Sequence, residues 1–165
     1  MRPQFLKSLP IYIFNFVLLI LSTQSVSFVF LDNVHAVVFL IPLFYWIIHA
    51  PAMMPLWFVF LGGLAIDFSV GSPLGLHAFG FIVYFILLYR VRRIVLSQPL
   101  LYHFVIFFLS ALMFEILRWG LISLLNFNML DIYPFVLAFV LNCVFCVPII
   151  LVLKLFHKVM SGYGR

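Results

Sequence analysis

The stretch "FVIFFLSALMF", residues 104–114, is apolar at every position except one serine, and "IYIFNFVLLIL" (11–21) and "FVLAFVLNCVF" (135–145) are interrupted by a single asparagine each. A helix on the surface of a soluble protein needs a polar face, and runs apolar all round leave it none. The strands of a transmembrane barrel would alternate apolar and polar residues, and these do not. In hydrocarbon the backbone finds no water, so its polar groups must bond within the segment, and about 20 residues of helix cross a core of about 30 Å. Composition carries the same message: 67% of the 165 residues are hydrophobic and 8% charged, against roughly a quarter charged in a soluble domain. The chain is therefore read as all-α and embedded in a membrane as one integral domain.

Six spans are expected, at about 9–30, 34–49, 53–70, 73–89, 99–119 and 132–153. The outer three are long. The middle region is broken at "HAPAMMP" (49–55) and "VGSPLG" (70–75) into shorter pieces, which suit little tilt, local thinning or a turn back inside the protein. With the N-terminus in the cytoplasm, six spans place Arg2, Lys7, Arg90, Arg92, Arg93, Lys154, Lys158 and Arg165 inside, eight of the nine basic residues, as the positive-inside rule requires. Both termini are then cytoplasmic. "RVRR" (90–93) is read as a cytoplasmic basic loop suited to anionic lipid, and Trp46 and Trp57 as an interfacial aromatic belt around the inner loop. The net charge of +5 sits at the chain ends and in that loop, which argues for lipid and against nucleic acid. The first apolar run is long for a cleaved leader and is taken as a span.

The stretch "GGLAIDFSVGSPLGLHAFG" (62–80) holds one of only four acidic residues, with Gly63, Asp67, Gly71 and Gly75 at four-residue steps. Asp67 lies about 17 Å along its helix, beyond the middle of the core, where an ionisable group needs a partner or a function. Ser72 and Pro73 are expected as N-cap and first residue of the next helix. Pro73 breaks any continuous glycine stripe, so residues 56–89 form a short recessed hairpin with Asp67 facing the amino end of its second helix. That place serves either as a structural cap or as a docking site.

Glu115 and Arg118 share a helix face and form an ion pair, to which Asp67 is added as a candidate cluster. Histidines 35, 49, 77, 103 and 157 show no metal-ligand spacing, and no metal or cofactor is expected. His77 stands near Asp67. Asn15 and Asn142 are expected to hydrogen-bond between helices, and Cys143 and Cys146 to act as small apolar residues.

The pattern Gly63-x3-Asp67-x3-Gly71-x3-Gly75, with "FYWII" (44–48) before it and a basic segment after it, resembles the bacterial rod shape-determining protein MreD family, as do Glu115, Asn142 and Pro148. The resemblance covers essentially the whole chain. It implies a multi-pass inner-membrane component of the cell-elongation machinery that works with MreC, the actin-like MreB and the synthases of lateral-wall peptidoglycan. It further implies a scaffold and regulator, not an enzyme. The competing reading is a vitamin-type substrate-binding subunit of a transporter, which would need several convergent polar groups in one pocket. An intramembrane aspartyl protease would need Asp67 and Glu115 close enough to share a proton.

Overall fold

The computed structural model describes residues 37–127 and 130–162, together with positions 13, 16, 17, 19 and 20, which are helical. Arg2, Lys7, Asn15, His35, Arg165 and most of the span expected at 9–30 lie outside the described residues. Five helices are described: α1 (Leu40–His49), α2 (Leu56–Val70), α3 (Leu76–Leu96), α4 (Leu100–Asn126) and α5 (Tyr133–Gly162), with a single 3-10 turn at Pro51–Met53. No strand occurs among the described residues.

Prolines and glycines set the boundaries. Pro51 disfavours helix at Ala50 and ends α1, and Pro99 does the same at Gln98, ending α3 and opening α4. α2 stops where Gly71 turns left-handed, with φ +70°, a conformation glycine adopts without a Cβ penalty. α4 and α5 are each long and apolar enough to cross a membrane, over Leu101–Asn126 and Tyr133–Leu155. α1, at 10 residues, rises only about 15 Å, half of a hydrocarbon core.

Three expectations need correction. Ser72 and Pro73 do not open a helix: α3 begins at Leu76, after Gly75 in the left-handed region. The first-turn amides that a serine would have capped are taken by Asp67 instead. "RVRR" is not a loop, because Arg90, Arg92 and Arg93 lie in the last turns of α3. Arginine is a good helix former and a basic group suits the negative end of a helix, so the helix runs on to the residues before Pro99. Trp46 is not an interfacial anchor either, being fully buried, whereas Trp57 is exposed.

α3 is the hub, packing on α2, α1 and α4, and α5 closes the bundle against α4 and α1. α1 is apolar all round and nearly every residue of it is buried, which is where such a helix must go. On α5, Ala138, Asn142, Cys146, Ile150 and Leu153 face inward, while Val136, Val140, Val144, Val147, Leu151 and Leu155 are exposed. The outward stripe is thus aliphatic at steps of three and four. On α4, Phe107, Ala111 and Phe114 are buried and Val105, Leu109, Leu112 and Ile116 exposed. These surfaces carry no polar cover against water and match acyl chains instead.

Candidate functional site

The α2–α3 hairpin is organised around one carboxylate. Asp67 Oδ1 accepts hydrogen bonds from Ser72 Oγ at 2.7 Å, the His77 amide at 3.0 Å and His77 Nδ1 at 2.7 Å, while Oδ2 accepts from the Gly75 amide at 2.9 Å. The Asp67 carbonyl takes the Ser72 amide at 3.1 Å and also the Gly71 amide. One residue therefore terminates α2 through its backbone and caps α3 through its side chain. Asp67 is 0% and His77 2% exposed. The carboxylate only accepts, so His77 Nδ1 carries the proton. Its Nε2 is buried with no protein partner among the described residues.

The glycines make this geometry possible in two ways. Gly71 and Gly75, with φ +70° and +94°, form the turn itself. Gly63 lets the helices touch: a Cβ there would stand 2.4 Å from Ala78 Cα and 2.5 Å from Ala78 N. The backbone of α2 lies directly on that of α3, which is how a buried carboxylate reaches the first turn of the next helix.

Glu115 and Arg118 form a second polar centre. Arg118 Nη2 lies 2.7 Å from Glu115 Oε2, the guanidinium sits 5.0 Å from the centre of the Phe135 ring, and Asn142 Nδ2 donates to Glu115 Oε1 at 3.4 Å. All three polar residues are buried. The centre thus ties α4 to α5, with Asn142 acting between helices as its place in the last span suggests. Asp67 is not part of it. Among the described residues its carboxylate bonds within residues 72–77, where the hairpin supplies four donors, and Phe114 packs against His77 and Phe81 at the α3–α4 contact. The expected three-residue cluster therefore resolves into two centres.

The basic segment also differs from a lipid-facing loop. Arg92 Nε donates to the Ile48 carbonyl at 2.7 Å, giving the end of α1 a partner that its short length denies it. Arg90 and Arg93 are exposed. The sequence offered no signal for this contact, since a basic run beside a span reads first as lipid attraction. Cys143 and Cys146 are free thiols, the second buried. Among the described residues no group of three His, Cys, Asp or Glu side chains is placed to hold a metal ion.

The sequence profile of the family described as rod shape-determining protein MreD matches residues 4–160. The chain belongs to the MreD family. Nearly the whole length is covered, including the hairpin and both polar centres. MreD-family proteins are membrane proteins with a role in rod-shape determination, and the two long apolar helices and the aliphatic outer faces accord with that. Comparison with curated proteins and with solved structures finds no match.

Proposed function

We propose that this MreD-family chain is a non-enzymatic scaffold and regulator of the rod-shape complex in the bacterial inner membrane, linking an MreC-like partner and MreB to lateral-wall peptidoglycan synthases. The observation that carries the reading is the family match over residues 4–160 in a chain almost wholly built of apolar helices. With little mass outside the bilayer, partners must bind helix faces, short turns or the basic end of α3. In this reading the chain crosses six times with both termini in the cytoplasm. α1 is then the short second crossing, enclosed by the other helices where the bilayer thins, and Arg90 and Arg93 face anionic lipid or a cytoplasmic partner.

The polar groups support structure over catalysis. Asp67 and Glu115, the two carboxylates an aspartyl mechanism would need to pair, take separate partners. The Gly63–Asp67–Gly71–Pro73–Gly75 motif is then a rigid hairpin that presents a fixed surface to a membrane partner. A cavity of about 210 Å³ between α3 and α4 is lined almost wholly by apolar side chains and offers a vitamin few convergent polar groups; a second, of about 220 Å³, is lined by Tyr45, His49, Gln98, His103 and Lys154, so a copurifying ligand decides between scaffold and carrier.

Affinity capture of the tagged chain after cross-linking in its host membranes tests the assignment. The expected yield is an MreC-like protein and a peptidoglycan synthase. Recovery of transporter subunits with a bound vitamin, without those partners, would replace the scaffold with the carrier.

A further inference from the structure

At the end of the bundle where α1 and α3 stop and α4 begins, histidines far apart in sequence come together. Tyr45 stacks on His49 with ring centres 4.4 Å apart, His49 lies 5.8 Å from His103, and Tyr45 Oη is 3.1 Å from His157 Nδ1. A cavity of about 220 Å³ opens there, lined by Tyr45, His49, Gln98, His103 and Lys154, with Phe44, Phe104 and Ile150 as apolar wall. No described carboxylate lines it. The imidazoles are oriented from within: His49 Nδ1 donates to the Tyr45 carbonyl at 3.0 Å and His103 Nδ1 to the Pro99 carbonyl at 3.4 Å. Each ring keeps Nε2 for another partner, and that nitrogen becomes a donor when the ring is protonated.

We propose that this cavity binds the phosphate head group of a membrane lipid. Lys154 supplies the positive charge and Gln98 an amide donor, with the His49 and His103 rings beside them in the lining. The amino end of the 27-residue α4 lies beside it and favours an anion. A lipid is favoured over a soluble phosphate because the wall is apolar and the neighbouring Leu101, Leu151 and Leu155 are exposed, leaving an acyl-facing surface next to the charged pocket. The polar groups facing it are Tyr45 and His49 from α1, Gln98 from the linker, His103 from α4 and Lys154 from α5, with His157 behind Tyr45 on its hydroxyl. Arg92 of α3 is engaged one residue away, on Ile48.

The test is native mass spectrometry of the purified chain in neutral detergent, titrated with phosphatidylglycerol and, as control, diacylglycerol. Phosphatidylglycerol is expected to be retained, and diacylglycerol not. Lys154→Gln combined with His103→Gln should weaken binding about tenfold, one charge-assisted contact's worth. Arg90→Gln with Arg93→Gln, which removes charge from the exposed end of α3 outside the cavity, should weaken binding less than that double variant does. Loss through the arginine pair but not through Lys154 and His103 would overturn the site, and full competition by millimolar inorganic phosphate would overturn the lipid. Should the double variant fail to fold, a head-group diazirine lipid on the wild-type chain decides: label in residues 98–104 and 150–154 supports the proposal, and label elsewhere overturns it.

Discussion

Asp67→Ala is expected to destabilise the protein by about 3 kcal/mol or more, the scale for removing one member of a buried, charge-assisted set. Four donors lose their acceptor together: the Ser72 hydroxyl, the Gly75 and His77 amides, and His77 Nδ1. No water reaches the buried side chain to replace it, so the α2–α3 turn must open to resolvate them. Asp67→Asn keeps one acceptor oxygen but turns an NH2 toward donors, so it should fall between wild type and alanine. Ser72→Ala, which removes a single donor and leaves the carboxylate capped, should cost about 1 kcal/mol. Thermal unfolding in detergent, read for all three variants, checks the order. Equal stability of Asp67→Ala and Ser72→Ala would show that the cap does not hold the hairpin.

Gly63→Val should cost about 3 kcal/mol through a different mechanism, overpacking against atoms that cannot rotate away. The first atom added would stand 2.4 Å from Ala78 Cα and 2.5 Å from its amide nitrogen. Relief requires α2 and α3 to separate along their whole contact, which also pulls Asp67 from the first turn of α3. Because the clash is with backbone, Ala78→Gly should not rescue it. Gly80→Ala is the internal control: its new atom meets a side-chain atom of Phe114 at 2.9 Å, which a small ring movement accommodates, so its cost should be well under half as large. Stability measurements on the three variants and on the Gly63→Val/Ala78→Gly pair decide the point. Rescue by Ala78→Gly would mean that side chains, not backbones, set the helix spacing.

The Asp67 centre was legible because a carboxylate at membrane depth has few ways to exist. In a chain this apolar, such a residue near a turn implies donors from the turn itself. His77 was readable as a neighbour of Asp67 from its place after Gly75, but the Ser72 hydroxyl and the Gly75 and His77 amides were not. His77 reaches Asp67 across ten residues and two left-handed glycines, a geometry no fixed spacing announces. The helix after the turn starts at Leu76 and not Pro73, because Asp67 supplies the cap from the preceding helix and the local cap was not needed. The extension of α3 through "RVRR" was hidden because arginine serves both helix ends and lipid-facing loops. The pocket of His49, His103 and Lys154 left no local trace either, since its members come from α1, α4 and α5 and meet only by packing. Glu115, Arg118 and Asn142 were readable in pieces, the pair from its i,i+3 spacing and the asparagine from its depth. Joining Asp67 to them failed because a charge count says nothing about distance.

The scaffold account is tested most directly by cell shape. In the bacterial host, the chain is depleted and replaced either by the wild-type copy or by Asp67→Ala, with the amount of each in the membrane measured alongside. The account predicts that depleted rods widen and round as side-wall growth stops, that wild type restores them, and that Asp67→Ala restores them poorly. Rods that keep their width after full depletion, with growth instead made dependent on an added vitamin, would contradict it.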